Sequence, residues 1–124
     1  MAHTLRRMDP EGTMLDAKLI NLSAVAEQTK AGYFNQVLTK VNDHAVHLSV
    51  MDAPFFWHFH PDSDEVFIVI EGVLLVELET ARYELKEGEM LTVPAGVRHR
   101  TSPLTPRSVN LTVEKINAES VRVS

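Results

Sequence analysis

Two histidines that lie two residues apart, His58 and His60, open the segment most suited to chemistry, WHFHPDSDE (57–65). On a β-strand, side chains at positions i and i+2 project from the same face about 6.6 Å apart, so the two imidazoles project together. Pro61 cannot donate to a β-ladder, and the acidic residues after it favour a turn. Such a turn returns Glu65 to the side of His60. Two imidazoles and one carboxylate that converge are the ligand set of an open transition-metal site.

A second segment, GEMLTVPAGVRH (88–99), supplies a further histidine from a separate piece of backbone. Its glycines and proline predict two turns around a short strand, and His99 opens the strand that follows. His99 is therefore a candidate fourth ligand. Taken singly, a His-x-His pair on a strand is more often a polar surface pair, and Glu65 or His99 would be an ordinary solvated residue. The combined spacing of all four favours a metal site.

The two segments together resemble the two signatures of the cupin superfamily. The first signature is His-x-His, four residues, Glu, six residues, Gly, and the second is Gly, five residues, Pro-x-Gly, two residues, His. The resemblance covers residues from about 52 to 103. The chain departs from it at Asp52, where the first signature usually opens with Gly, and at Pro103, where the second usually closes with Asn. Neither position is that of a ligand.

The resemblance implies an all-β protein, a double-stranded β-helix or jelly-roll barrel, that holds one divalent transition metal. The ligands that it implies are His58, His60, Glu65 and His99. Only fifteen residues separate Gly72 from Gly88, which is similar to small single-domain bacterial cupins. The donor types are compatible with Fe, Mn, Ni, Cu or Zn and do not choose among them. Some members of the superfamily keep the barrel and use its pocket without a metal.

The rest of the chain supports one domain of this class. About nine short strands, with turn signals every 8 to 12 residues, are typical of a β-sandwich or barrel. We predict a mobile N-terminal arm over residues 1–17 and a single barrel domain over 18–124. An edge strand is predicted over 19–22, followed by one short helix over 24–28 with Ser23 as its N-cap, which ends near Gly32.

The pocket is expected to be partly apolar. Strand parity places Phe67 and Val69 on the same face as Glu65. His47 shares a strand face with Ser49 and Met51, and we interpret it as a structural histidine although a role near the pocket is open. The predicted pocket residues are Phe56, Phe67, Val69, Tyr83 and Thr101, the last as a hydroxyl donor.

Strand 65–71 and the segment after it are apolar on both faces, which indicates that both faces are covered. The predicted helix is too short to cover the whole outer face. We therefore expect Val66, Ile68, Ile70 and part of segment 73–76 to be buried in a homodimer.

Composition limits the remaining classes of function. The 124 residues include no cysteine and carry a formal charge of −5, with scattered Lys and Arg, so a nucleic-acid partner is not expected. The N-terminus lacks the apolar core of a signal peptide, and no apolar run approaches the ~18 residues of a membrane span. The sequence favours a cytoplasmic protein without a membrane partner.

The functional hypothesis is a metal-dependent enzyme, a dioxygenase, isomerase or lyase, that acts on a small, partly apolar organic molecule. The alternative is a non-catalytic barrel that binds or senses a small molecule. The fold alone does not decide between them, and the catalytic residues are unknown at this stage.

Overall fold

The computed structural model describes residues 17–29 and 32–123, together with the backbone of 7–8 and 14–15. Within these residues the elements in chain order are β1 (Arg7–Met8), β2 (Met14–Leu15), α1 (Leu22–Glu27), β3 (Phe34–Val41), β4 (His44–Met51), β5 (His58–Phe59), β6 (Glu65–Glu71), β7 (Leu74–Leu78), β8 (Arg82–Leu85), β9 (Met90–Val93), β10 (His99–Pro103), β11 (Ser108–Lys115) and β12 (Val121–Arg122).

Two five-stranded antiparallel sheets form the body of the molecule. One has the order β12-β5-β10-β7-β8, and the other has the order β3-β4-β11-β6-β9. Strands that are distant in sequence are neighbours in both sheets, as in a double-stranded β-helix, so the predicted all-β fold is confirmed. The predicted arm over residues 1–17 lies mostly outside the described residues. Within it, the backbone of β1 pairs antiparallel with that of β2.

Two apolar clusters hold these layers together. The first lies between the two sheets and contains Phe67, Val69, Leu74, Val76 and Val93, among others. The second joins the outer face of the β3–β4–β11–β6–β9 sheet to α1 through residues that include Ala26, Leu48, Val50 and Val109. The sheet carrying β4 and β11 is therefore covered on both faces, on the outside by the helix over part of its area.

The short helix begins two residues earlier than the sequence predicts. Asn21 is the N-cap, and its side chain accepts a hydrogen bond from the backbone N–H of Ala24 at 3.0 Å. Ser23 consequently lies inside α1, and residues 19–22 do not form the predicted edge strand. Asn and Ser cap helices about equally well. Packing decides between them, because Leu22 and Val25 lie against the second apolar cluster.

The alternation of apolar and polar residues predicts strands over 33–38 and 44–51. Strand β4 has the predicted bounds, whereas β3 continues to Val41 across a register shift between Val37 and Thr39. Gly72 of the first signature has φ +78°, a conformation that non-glycine residues rarely adopt. A Cβ on Gly72 would lie 2.4 Å from the carbonyl oxygen of Arg107. The signature glycine is thus required by the close approach of the loop before β11. Among the described residues, no helix is both long and apolar enough to cross a bilayer.

Candidate metal centre and cavity

Four side chains converge at one end of the space between the sheets. His58 lies on β5, His60 follows that strand, Glu65 opens β6 and His99 opens β10. One nitrogen or carboxylate oxygen from each lies within 4.8 Å of all the others, and all four residues are at most 7% exposed. The structure therefore brings together the four residues that the sequence singles out.

Backbone carbonyls fix how the three imidazoles are turned. The Nδ1–H groups of His58, His60 and His99 each have a carbonyl oxygen at 2.9 Å, from Phe56, Glu119 and Val97 respectively. A neutral imidazole that donates from Nδ1 has an unprotonated Nε2. In their neutral forms, the three imidazoles therefore direct their Nε2 lone pairs to one point, the arrangement that metal-binding histidines show.

Turn contacts hold the two signature segments against each other. The backbone N–H of Gly96 donates to the carbonyl of His60 at 2.8 Å, and that of Ala95 donates to the Asp64 carboxylate at 2.8 Å. His58 and His99 are directly paired in the register of β5 and β10. The acidic turn after His60 and the proline–glycine turn before His99 consequently determine the position of the ligands.

The Glu65 carboxylate is the charged centre of the group. Its Oε1 lies 3.1 Å from His99 Nε2 and 3.2 Å from His60 Nε2. Burial acts to raise the pKa of Glu65, but the contacts with His60 and His99 outweigh it and lower that pKa to about 2. The pKa of His60 is raised to about 9, chiefly because the Glu65 carboxylate lies beside its Nε2 and despite burial. Without a metal, His60 and Glu65 are therefore an ion pair at neutral pH.

These donors fit a divalent transition metal. The His60 Nε2 approach to Glu65 lacks hydrogen-bond geometry, so this buried nitrogen has no hydrogen-bond partner among the described residues. Burial lowers the pKa of His58, which favours the neutral imidazole that a metal requires. Three oriented Nε2 atoms and one carboxylate leave positions free on a five- or six-coordinate ion. The group could hold one such ion, and its donor types do not identify the element.

A cavity of about 210 Å³ opens beside this group, and three of the four candidate ligands line it, His58, His60 and Glu65. Phe67 and Thr101 also line it, where the sequence places them. The other predicted pocket residues lie elsewhere in the described chain. Val69 is packed in the core between the sheets, Phe56 stacks on Phe55, and Tyr83 is 40% exposed on edge strand β8.

The opposite wall of the cavity is polar, which the sequence reasoning did not predict. It is formed by side chains from β3, β4 and β11, namely Asn35, His47, Ser49, Asn110, Thr112 and Glu114. The signal was present in the alternation of polar and apolar residues along SVNLTVEK (108–115). A strand in the middle of a sheet with one polar face must direct that face to something polar, and here that is the cavity.

One wall residue, Glu114, lies beside a candidate ligand, and a second, His47, lies beside Glu114. Glu114 Oε2 is 3.5 Å from His60 Nε2, and Glu114 Oε1 is 4.0 Å from His47 Nε2. Burial, followed by the charge of Glu65, raises the pKa of Glu114 to about 7. Burial lowers the pKa of His47. His47 is therefore a cavity residue, held at Nδ1 by Asn35 at 2.9 Å.

A larger groove, about 760 Å³, lies on the outer surface near Trp57, Arg82 and Arg98. None of the four candidate ligands lines it. Arg100 lies close by, where it stacks over Trp57 and pairs with Glu77 at 2.8 Å, directed away from the metal centre. The smaller cavity, which contains the convergent histidines, is therefore the candidate functional site.

Comparison with known proteins gives a consistent result. The family model described as "Cupin domain" matches residues 41–113. The YdbB protein of Bacillus subtilis (strain 168) is 45% identical over 108 residues, which cover 85% of this chain and 93% of YdbB.

Solved structures of similar proteins share the fold. A cupin-2 domain containing protein from Shewanella frigidimarina NCIMB 400 superposes with a TM-score of 0.74 at 30% identity, covering 79% of this chain and 95% of that one. Protein NMB1881 from Neisseria meningitidis superposes with a TM-score of 0.72 at 25% identity, covering 80% and 100%.

Proposed function

Since the chain belongs to the cupin family, we propose that it is a metal-dependent enzyme, a dioxygenase, isomerase or lyase, that acts on a small organic molecule bound in the cavity. The observation that carries this proposal is the overlap of the two sites. His58, His60 and Glu65 are both candidate ligands and cavity-lining residues. A molecule in the cavity therefore lies within reach of the metal positions that the protein leaves free.

A bound metal would supply Lewis acidity toward a carbonyl, an enolate or dioxygen. The protein residues supply the surroundings. The carbonyls of Phe56, Glu119 and Val97 hold the imidazoles, and Phe55 and Phe67 place apolar rings at the cavity wall, which limits the access of water. Glu114, the acid of the polar wall, is half-buried, and with a pKa of about 7 it can hold or release a proton at Oε2 near neutral pH.

The test begins with metal analysis of protein purified without chelator. The loaded protein is then given catechols, diketones, hydroxy ketones and hydroxy acids, with dioxygen consumption and product NMR as readouts. We expect close to one metal per chain and metal-dependent turnover in one substrate class. His99→Ala should lose both, whereas His44→Ala, which alters a partly exposed histidine bonded to Asp43, should lose neither.

The same experiment distinguishes the proposed enzyme from the alternative, a non-catalytic binding or sensory barrel. Saturable binding without turnover, with one metal per chain, would favour that alternative. Absence of metal from correctly folded protein would contradict a metal-dependent enzyme and would also contradict a binding barrel that holds a metal.

A further inference from the structure

The polar wall of the cavity contains a hydrogen-bonded series with a defined direction. His47 Nδ1–H donates to Asn35 Oδ1 at 2.9 Å, and Asn35 Nδ2 donates to Ser49 Oγ at 2.7 Å. Because Ser49 Oγ accepts this bond, its own proton is left to be donated. Ser49 is 4% exposed and lines the cavity together with Tyr33, whose hydroxyl lies beside Ser49 and Asn35. A group in the cavity can therefore receive this proton.

An acceptor lies next to this donor. Asn110 is the register partner of Ser49 on the adjacent strand β11, and both side chains line the cavity. Asn110 is 1% exposed, and its Oδ1 is buried without a hydrogen-bond partner in the described chain. A buried amide oxygen without a donor costs stability and is rare in native proteins. Because Asn110 lines the cavity, this oxygen is available to accept a hydrogen bond from a molecule bound there.

The charge of the cavity limits what that ligand can be. None of the described residues that line the cavity is Lys or Arg. Two acidic residues, Glu65 and Glu114, do line it. An anionic group at the wall would meet no counter-charge there. A hydroxyl or a carboxamide carries both a donor and an acceptor, and it matches the pair formed by Ser49 and Asn110. The 210 Å³ volume lies below the ~300–1,000 Å³ of drug-sized sites, which indicates a small molecule.

We propose that Ser49 and Asn110 form a specificity subsite that binds an uncharged hydroxyl or carboxamide group, and that the substrate is a small, neutral, hydroxylated molecule whose other end reaches the metal. This inference rests on the proposed function, since it assigns the far end of the same substrate. Phe67 and Met51 also line the cavity, where their apolar side chains would contact the carbon skeleton of such a molecule.

Hydroxamates test the subsite because their head group binds many metals in the same way. The probes are hydroxamates with tails of two, three and four carbons that end in a methyl, a hydroxyl or a carboxylate. Their affinities for the metal-loaded protein are measured by titration calorimetry. We expect the hydroxyl tail to bind about tenfold more tightly than the methyl tail of equal size at one or more lengths. The carboxylate tail should bind less tightly than the methyl tail.

Two variants assign the preference to the subsite. Ser49→Ala and Asn110→Leu should each remove most of the preference for hydroxyl over methyl. Asn110→Leu should also raise the melting temperature, on the order of 5 °C, because it removes an unpaired buried oxygen. Ser102→Ala is the matched control, since Ser102 lies on β10 and does not line the cavity. It should leave the preference intact.

The outcomes are distinguishable. A hydroxyl preference that is absent at every length, or that survives in both variants, overturns the subsite while the proposed function stands. Failure of every hydroxamate to bind the metal-loaded protein contradicts the open metal position and therefore the proposed function itself. If Asn110→Leu does not fold, Ser49→Ala decides by the same comparison of tails.

Discussion

The two sheets that enclose the cavity contribute different chemistry. The β5–β10 side supplies three oriented imidazoles from residues that are close in sequence to a turn, with Glu65 at the start of β6 completing the group. The β3–β4–β11 side supplies neutral hydrogen-bonding groups from the middle of long strands. The half with the candidate ligands is thus built from local turns, and the half with the polar cavity wall is built from strand pairing. Five predictions test this division, beginning with the largest effect.

The largest effect should distinguish two histidines, one from each side of the cavity region. His99 belongs to the candidate ligand group, whereas His47 lies on the polar wall of the cavity and does not belong to that group. His99→Ala should weaken metal binding on the order of 100-fold or more, as should His58→Ala or His60→Ala, since each removes a donor. His47→Ala should retain close to one metal per chain. Metal analysis after dialysis is the measurement, and undiminished metal in His99→Ala would disprove the ligand assignment.

Metal and protons should compete at His60. Its raised pKa adds stability to the metal-free protein that is fully present below the ordinary value of 6.5 and is lost as pH rises through about 9. The lowered pKa of Glu65 adds stability that is present above 4.5 and is lost as pH falls toward about 2. Metal binding requires the unprotonated imidazole, so its stabilisation should grow in the opposite direction, from pH 5 to pH 9.

The measurement is a set of thermal melts with and without chelator at pH 5, 7.5 and 9. At a hundredfold excess over Kd, metal adds roughly 2.7 kcal/mol. We expect a small difference in melting temperature at pH 5 and a clearly larger one at pH 7.5 and 9. An equal difference at all three values would contradict competition at the histidines.

Glu65→Gln keeps an oxygen donor but removes the charge that holds the proton on His60. Metal affinity should fall by about tenfold, less than for loss of a histidine. At pH 7.5 the native protein should release about one proton per metal bound, because the pKa of His60 is about 9 without metal. The variant should release fewer. Calorimetric titrations in buffers of different ionisation enthalpy measure the number, and an unchanged value would contradict the ion pair.

The outer face of the sheet carrying β4 and β11 is apolar and is only partly covered by α1. Ile70 packs against the α1 cluster, and Leu74 and Val76 lie in the core between the sheets. Ile68 remains half-buried beside Met90, which is 61% exposed and is its register partner on β9. We propose that this face pairs with a second copy of the chain.

Covering a large aliphatic side chain is worth about 1.5–3 kcal/mol. Ile68→Thr should therefore weaken self-association by about tenfold in sedimentation experiments, whereas Thr80→Ser, in the turn between β7 and β8 of the other sheet, should not. A monomer at high micromolar concentration in the native protein would refute the dimer.

The smallest effect is expected at Glu114, the second cavity carboxyl. Its pKa is raised to about 7 from 4.5, so its cost to the folded state is absent below pH 4.5 and is fully present above pH 7. In protein freed of metal with a chelator, Glu114→Gln should raise the free energy of unfolding at pH 8 on the order of 1 kcal/mol. At pH 4.5 it should leave that free energy unchanged. Denaturant melts at the two pH values measure this, and destabilisation at pH 8 would show that the carboxylate has a stabilising partner.

The four candidate ligands could be predicted from sequence because each is fixed by local spacing. His58 and His60 share a strand face, a turn returns Glu65, and His99 opens the strand after a second turn. Periodicity likewise gave the bounds of β4. It could not give the helix start, since Asn21 and Ser23 are both good caps and only packing of Leu22 and Val25 chooses between them.

Only the tertiary structure decided which face of each strand lines the cavity. Strand parity shows which residues share a face, but not what that face meets, and Tyr83 lies on an edge strand outside the cavity for this reason. Ser49 and Asn110 are 61 positions apart and become neighbours only through the register of β4 and β11. Long-range strand pairing, not local spacing, therefore built the polar wall of the cavity, while the spacing of residues within two short segments determined the candidate metal centre.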